Sequence, residues 1–197
     1  MIGSLVLQTA PTVEPITTAE AKSHLRVDAA GDDTLIGALI DAAIAMLDGR
    51  DGWLGRALCT QTWDWYLDAF PDEDVLYVPL PPLVSVSSIT YLDTAGASQT
   101  WGATNYTVDI RKGPGRITPA YGVVWPSTRD VVNAVIIRFV AGYGAAAAVP
   151  ETIKLGLKAL VAQFYEHREP VVVGTIATKI PDHVDRLLAP YRVWSLQ

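Results

Sequence analysis

Residues 60–70 read "TQTWDWYLDAF", and this stretch marks a change from helical to extended structure. Trp63, Trp65 and Leu67 alternate with polar positions such as Asp64. Alternation with a period of two is typical of a strand that buries one face. The two tryptophans therefore lie on the same face, where their large apolar rings favour core packing over exposed contacts.

Two helices are predicted before this stretch. The first lies in "TTAEAKSHLRV", where Thr17 stands three residues before Glu20, the spacing of a capping box. The second lies in "GDDTLIGALIDAAIAMLDGRDG", where Asp32 or Asp33 is placed to cap the helix. Its apolar residues recur at the spacing of a buried helical stripe, namely Leu35, Ile36, Leu39, Ile40, Ala43, Ile44 and Leu47.

Short segments rich in β-branched and aromatic residues follow, up to about residue 143. They read "VSSITYLD", "NYTVDI", "GRITP" and "NAVIIRFVAGYG", and glycine, proline and asparagine separate them. This pattern predicts a small antiparallel sheet or sandwich. The stretch "PLPPL", residues 79–83, is expected to be a rigid extended connector between strands.

Helical periodicity returns after residue 149. Pro150 suits the first turn of a helix. The apolar stripe of this helix is Ile153, Leu157, Leu160, Val161 and Phe164. We expect the helix to end in "FYEHREPVVVG", residues 164–174, because a proline follows the charged run. A last short helix, "DHVDRLLAP", then leads into "YRVWSLQ".

The order of these elements is helical, then extended, then helical. The predicted fold class is therefore α+β, in which N- and C-terminal helices form one bundle and a small antiparallel sheet or sandwich is inserted between them. The predicted boundaries are 1–58 for the N-terminal helical part, 59–145 for the β-rich insertion and 146–197 for the C-terminal helices and tail. The two helical parts are expected to pack as one domain, since neither offers much core alone.

Composition bounds the functional classes. The chain has 197 residues, of which 50% are hydrophobic, and its net charge is −6. No apolar run reaches the ~20 residues that a membrane helix needs, and the N-terminus lacks the basic start of a signal peptide. We therefore expect no membrane association. An acidic protein is a poor clamp for phosphate backbones, and "RKGPGR", residues 111–116, is interpreted as a solvated hairpin tip.

The sequence offers no convincing catalytic or metal-binding constellation. The chain has three histidines and one cysteine, Cys59, which is expected to be a packed thiol. In "EHRE", Glu166 and Glu169 share a helix face while His167 is turned about 100° away. We interpret this run as the charged end of a helix. No nucleophile elbow, phosphate loop or dinucleotide fingerprint is present, so we predict no enzyme and no cofactor.

Several stretches, taken in order, resemble one known family. "PITTAEAKSHLRVDAAGDDTLIGALIDAAIAMLDGRDG" resembles the N-terminal helical pair of head–tail connector proteins of tailed phages. "QFYEHREPVVVG" resembles their last long helix, in which an aromatic residue precedes Glu, a variable residue and Arg-Glu; here these are Tyr165, Glu166, Arg168 and Glu169. "IPDHVDRLLAPYRVW" resembles their C-terminal segment, and the strand-rich insert resembles the longer members found in prophages and gene transfer agents.

The resemblance implies a mechanical role without a catalytic site. Such proteins are adaptors that form a ring, commonly dodecameric, beneath the portal at the capsid vertex. The implied partners are the portal protein, the next neck or tail protein (a stopper or tail terminator) and other copies of the same chain. DNA would pass through the channel without sequence-specific binding. The implied location is the head–tail junction of a virion or gene transfer agent particle, after synthesis in the bacterial cytoplasm.

Two sets of interaction residues follow as hypotheses. The C-terminal segment carries a large apolar load, and we expect it to fold fully from about Ile180 only on the portal. The residues expected to dock there are Val184, Leu187, Leu188, Tyr191, Arg192 and Trp194. The residues expected to reach a neighbouring subunit in the ring are Glu166, Arg168 and Glu169.

Three alternatives stay open at this stage. The first is another neck or tail-completion ring protein, which differs in the ring that it binds. The second is a β-sandwich module of the particle that holds a sugar or surface ligand with Trp101 or Trp125, both of which stand by turn signals. The third is an enzyme, which ranks last because no constellation supports it.

Overall fold

The computed structural model describes residues 3–111, 113–166 and 180–193. The helices and strands follow one another in the order β1 (Ser4–Thr9), α1 (Thr18–Leu25), α2 (Asp33–Leu47), β2 (Gln61–Leu67), β3 (Leu76–Tyr77), β4 (Leu83–Leu92), β5 (Ser98–Thr100), β6 (Tyr106–Asp109), β7 (Arg116–Pro119), β8 (Val135–Ala141), α3 (Glu151–Glu166) and α4 (Asp182–Leu188). Short 3₁₀ turns lie at Ala30–Asp32, Ala103–Asn105, Ala146–Ala148 and Ala189–Tyr191. The α+β class predicted from the sequence is confirmed.

The main sheet has five antiparallel strands in the order β1-β2-β8-β4-β5. Trp63 of β2 pairs with Phe139 of β8, and Trp65 pairs with Ile137. All four side chains are buried, so the period-two pattern of β2 does set one face into the core, as predicted.

Asp64 is buried as well, although it lies on the opposite face of β2. Arg138 stands directly across from it on β8 and donates Nε and Nη2 to the two carboxylate oxygens, each at 2.7 Å. This two-pronged pair gives a buried carboxylate the charged partner that it requires.

A second, three-stranded sheet in the order β3-β7-β6 packs on the first. Leu76 and Ile117 from this small sheet belong to the same buried cluster as Trp65, Ile89 and Ile137 of the main sheet. Residues 59–141 thus hold the sandwich-like β-rich unit that the alternating segments predict.

The helices at the two ends of the sequence share a separate core. Its buried members include Ile36 and Ile40 of α2, Ile153 and Leu157 of α3, and Val184 of α4. The stripe spacing in α2 and α3 therefore points inward in both helices. The packing of N- and C-terminal helices into one bundle is as predicted.

At the N-terminal ends of α1 and α2, one capping prediction is confirmed and the other is wrong. Thr17 and Glu20 form the capping box: Glu20 N–H donates to Thr17 Oγ1 at 3.2 Å, and Thr17 N–H donates to Glu20 Oε2 at 2.7 Å. Asp32 stands at the N-cap of α2 but makes no side-chain capping hydrogen bond. Its carboxylate accepts a hydrogen bond from the hydroxyl of Tyr165 instead, which ties the end of α3 to the start of α2.

Strand β1 is a feature that the sequence analysis did not predict. Residues 4–9 lie within the part assigned to helices, yet Leu5 pairs with Trp65 and Leu7 with Trp63 at one edge of the main sheet. Along the sequence, β1 thus belongs to the β-rich unit, α1 and α2 belong to the helical core, and β2 belongs to the β-rich unit again. The division of the chain at residues 58 and 145 stays a prediction.

Candidate interaction surfaces

The C-terminal helix α4 packs into the helical core. Val184 and Leu188 are both fully buried, and Ile180 is nearly so. Val184 and Leu188 are four residues apart and therefore share one face of α4. Val184 and Leu188 thus face the helical core and offer no surface for docking in this structure, while the folding of the segment from Ile180 on the portal stays a prediction. Leu187 is half-buried, Tyr191 and Arg192 are partly exposed, and Trp194 lies outside the described residues.

A glycine in α3 makes this packing possible. A Cβ placed on Gly156 would lie 2.8 Å from Cδ2 of Leu188 and 3.0 Å from both Cδ1 and Cγ. Gly156 is itself buried within α3. The missing side chain therefore forms the recess that receives Leu188 and allows α4 to approach α3 closely.

Residues 191–193 are held by a group that we call the tail clamp, formed by Trp53, Arg56 and Tyr143. Arg56 donates Nε to the Tyr191 carbonyl at 2.6 Å and Nη1 to the Tyr143 hydroxyl at 2.7 Å. The guanidinium of Arg192 lies 4.5 Å from the centroid of the Trp53 ring. In addition, Val193 N–H donates to the Leu54 carbonyl at 2.8 Å.

The electrostatics of the clamp follow from its partial burial. Burial raises the pKa of the Tyr143 hydroxyl, and the nearby Arg56 opposes that shift. Tyr143 therefore stays neutral at physiological pH and accepts a hydrogen bond from Arg56. The clamp fixes the end of the described chain against the segment that joins α2 to β2.

A partly buried carboxylate organises the same segment. Asp48, at the C-terminal end of α2, accepts a hydrogen bond from Leu58 N–H at 2.7 Å and from Gln61 Nε2 at 3.0 Å. Gln61 in turn accepts from Trp63 Nε1 at 3.0 Å. Burial raises the pKa of Asp48, while its hydrogen bonds with Leu58 and Gln61 oppose the rise. This series of hydrogen bonds connects the end of α2 to strand β2.

The predicted inter-subunit residues are only partly within the described chain. Glu166 is exposed and is the last residue of α3. Arg168 and Glu169 lie outside the described residues. Glu166 lines a shallow groove of about 390 Å³ together with His24, Gln163 and His183. Within residues 3–111, 113–166 and 180–193, no group of three or more His, Cys, Asp or Glu side chains is placed to hold a metal ion.

The aromatic residues considered for ligand binding pack on one another. Trp101 is buried, with only 6% of its surface exposed, which corrects its selection as an exposed contact. Its ring stacks on Tyr106 at 5.4 Å and contacts Trp125 at 4.9 Å between centroids. Trp125 stacks on Phe70 at 5.0 Å and donates Nε1 to the Glu73 carbonyl at 2.9 Å. These contacts occupy the ring faces that a sugar would need.

The cysteine and the charged groups of the β6–β7 hairpin have structural roles. Cys59 is buried, and burial raises the pKa of its thiol to about 11, so the thiol is neutral and unreactive at physiological pH. In the hairpin between β6 and β7, Arg116 lies 3.1 Å from Asp109. The backbone of Arg111 also donates to Asp109, and this hydrogen bond, together with Arg116, lowers the pKa of Asp109. Part of the basic charge of that tip is therefore neutralised within the chain.

Several solved structures share the fold of this chain. The chain superposes on a solved structure described as the neck of an empty GTA particle computed with C6 symmetry, with a TM-score of 0.77 and 24% identity over 98% of this chain and 97% of that chain. The chain has the fold of a gene transfer agent neck protein. A chain from the virion of a native gene transfer agent (GTA) particle matches with a TM-score of 0.76 and 25% identity over 98% and 97% of the two chains.

A third structure, the neck of a native GTA particle computed with C12 symmetry, matches with a TM-score of 0.67 and 23% identity over 100% of this chain and 98% of that chain. The resemblance to connector proteins is thus confirmed at the level of the fold, strand-rich insert included. No protein-family model matches the chain, and no curated protein does. Among the described residues, no helix is long and apolar enough to cross a membrane.

Proposed function

We propose that this protein is a structural component of the neck of a gene transfer agent or phage particle, and specifically a head–tail adaptor. In this role, many copies form a ring beneath the portal, extend the DNA channel and link the capsid to the next neck or tail protein. The observation that carries the proposal is the match to a GTA neck chain over 98% of this chain and 97% of that one. The match therefore includes the strand-rich insert as well as the helices.

Three observations support this role. The net charge of −6 suits a channel wall along which DNA slides, because a basic wall would hold phosphates. The neck structures that match were computed with C6 and C12 symmetry, and closed rings are built from heterologous contacts between two different surfaces of each subunit. Third, the carboxylates of Asp48, which is partly buried, and Asp64, which is buried, are engaged in hydrogen bonds that hold the fold.

The proposed portal-docking surface is smaller than the sequence indicates. Since Val184 and Leu188 support α4 from inside, the contact with the portal falls to Leu187, Tyr191, Arg192 and the following Trp194. The tail clamp holds Tyr191 and Arg192 in place, so these two residues are preorganised and lose little conformational entropy on binding. Glu166, Arg168 and Glu169 remain our proposed contacts between neighbouring subunits.

The test is co-sedimentation of the purified protein with the portal ring encoded in the same gene cluster. We expect saturation at one copy per portal subunit. Deletion from residue 180 is a poor variant, because it removes Val184 and Leu188 from the helical core and would unfold the protein. The sharper variant ends at Val193, and it should keep the same thermal stability while losing most of its portal affinity.

A matched pair of substitutions separates docking from a general charge effect. Arg192→Glu should weaken portal binding, whereas Arg129→Glu, at an exposed position in the loop before β8, should not. Absence of binding with both wild-type partners folded would refute the adaptor role. Binding to a tail-side ring in place of the portal would favour the second candidate, a stopper or tail-completion protein at another level of the neck.

A further inference from the structure

A groove of about 530 Å³ has residues from edge strands of both sheets in its walls. Leu5 of β1, Trp65 of β2 and Tyr77 of β3 line it. Four prolines contribute as well, namely Pro71, Pro79, Pro81 and Pro114. The volume lies within the range of about 300–1,000 Å³ in which proteins bind organic groups. Since prolines lose almost no side-chain entropy on burial, such walls suit a partner that inserts apolar side chains.

Two parts of the wall are fixed by contacts within the chain. Glu73 lines the groove, and its carbonyl accepts the hydrogen bond from Trp125 Nε1 at 2.9 Å. Gly55 and Val193 also line it. Gly55 has a φ of +62°, and a Cβ there would lie 3.1 Å from the Val193 carbonyl oxygen, so a glycine allows the two segments to approach. These contacts hold the groove in shape before a partner binds.

The groove is continuous with the proposed portal-docking surface. Val193 comes directly after Tyr191 and Arg192, which the tail clamp holds, and it is itself a wall residue of the groove. Consecutive Cα atoms are about 3.8 Å apart, so a single residue separates Arg192 from the groove wall. A protein that contacts Tyr191 and Arg192 therefore also reaches the groove.

Strand β1 adds an unpaired backbone edge at the same place. It is the outermost strand of the main sheet, and among residues 3–111, 113–166 and 180–193 it pairs with β2 alone. Edge strands usually carry charges or prolines that prevent pairing with another chain, but β1, "SLVLQT", has neither. Val6 and Leu7 are each 43% exposed, and the irregular pairing between Leu7 and Thr9 affects only the last part of the strand. This edge is therefore suited to pairing with a strand of another chain.

Arg50 lies where the edge and the groove meet. It lines the groove and donates Nη1 to the Leu5 carbonyl at 3.2 Å. Its ion pair with Asp51 is long, at 3.8 Å, and the Asp51 side chain is 96% exposed, so the pair contributes little. A guanidinium has five N–H donors, and those of Arg50 suit a carbonyl or carboxylate oxygen of a partner.

We propose that the portal supplies an extended segment that pairs with the outer edge of β1 and places its apolar side chains in the groove. Recognition by strand addition combines main-chain hydrogen bonds with pockets for alternate side chains. Because successive side chains of a strand point to opposite sides, the segment carries apolar residues at alternate positions. It directs a carbonyl or carboxylate oxygen toward Arg50. The inference rests on the proposed adaptor role and names the way in which the portal is held.

Photo-cross-linking in the complex with the portal identifies the occupant of the groove. Tyr77 lines the groove and is 41% exposed, so Tyr77→Cys accepts a benzophenone maleimide, whereas Cys59 is buried and stays unlabelled. We expect a cross-link to an extended apolar segment of the portal, identified by mass spectrometry of the linked peptides. Ser98→Cys is the matched control, because Ser98 is exposed in β5 at the opposite edge of the main sheet, and it should give no adduct with the portal.

A pair of substitutions gives an independent readout. Tyr77→Asp should lower the affinity for the portal about tenfold, because a charge enclosed by apolar walls without a partner is unfavourable. Val132→Asp, at a position 77% exposed in the loop before β8, should leave the affinity unchanged. Both variants should keep the thermal stability of the wild-type protein, since neither side chain is buried.

The outcomes distinguish this inference from the proposed function. Portal binding without a cross-link from the Tyr77→Cys probe to the portal overturns the inference and leaves the adaptor role intact. A cross-link to the residues that follow Val193, or to a second copy of this chain, also overturns the inference, as does unchanged affinity of Tyr77→Asp. Failure of the wild-type protein to bind the portal overturns both.

Discussion

Substitution of Gly156 by alanine has two opposing effects on the free energy of unfolding, and their difference can be measured. Alanine in a helix interior is more favourable than glycine by about 1 kcal/mol. The added Cβ, however, would lie 2.8–3.0 Å from three atoms of Leu188. Overpacking of a core costs about 1–3 kcal/mol. We expect the upper part of that range, since the contacts involve both methyl groups and the branch carbon of a side chain with no exposed surface.

The expected net effect is a loss of about 1–2 kcal/mol in the free energy of unfolding, from a cost of about 2–3 less the gain of about 1. For a chain of this size, that corresponds to a decrease in Tm of about 2–8 °C. Urea and thermal unfolding measure both values. Hydrogen exchange then shows whether α4 has lost protection while α2 has kept it.

Gly37 provides the matched control. It also lies within a helix, α2, but a Cβ there meets no atom within 4 Å. Gly37→Ala should therefore raise stability by about 0.5–1 kcal/mol. A second control is Gly156→Ala in a Leu188→Ala background, where the clash is absent and the substitution should become neutral or stabilising. Equal stabilisation by Gly156→Ala and Gly37→Ala in the wild-type background would refute the recess.

Three other predictions concern the segment between α2 and β2. Arg56→Ala removes the hydrogen bonds to Tyr191 and Tyr143, so it should destabilise the protein by about 1–3 kcal/mol and speed limited proteolysis near residue 191, whereas Arg26→Ala, at an exposed position, should leave both unchanged. Burial raises the folded-state pKa of Asp48, so the contribution of Asp48 to stability is greatest below its ordinary pKa and falls as pH rises toward the folded-state pKa. Asp48→Asn should therefore gain stability relative to the wild-type protein as pH increases. A stability difference that stays constant with pH would contradict this. With its pKa near 11, Cys59 should react with a thiol reagent at pH 7 only at the rate of unfolding, and rapid labelling of the native protein would contradict its burial.

The sequence predicts the features that depend on local periodicity. The helical stripes of α2 and α3, the capping box at Thr17 and the inward face of β2 each arise from neighbours a few residues apart. The β-rich unit and the shared helical core follow from the same patterns. For these elements, the face that turns toward the core is encoded within the element itself.

Other features depend on residues far apart in the chain. Strand β1 is short, and what holds it in place is pairing with β2 about sixty residues later. Leu188 is buried because Gly156, in another helix, leaves room for it. Trp101 stands beside a turn yet packs within an aromatic cluster drawn from several loops. The tail clamp likewise joins Arg56 to Tyr191, which is 135 residues later in the chain, so no local sequence pattern predicts it.

The edge strand β1 bears on how such proteins exchange parts. A recombination that swaps only residues 59–145 between relatives would bring a new β2 to the old β1, and the register of Leu5 and Leu7 against two tryptophans would be lost. The smallest exchangeable module is therefore discontinuous: residues 4–9 must travel with the insert. We expect chimaeras that respect this rule to fold, and natural variation at residues 5 and 7 to follow variation at positions 63 and 65.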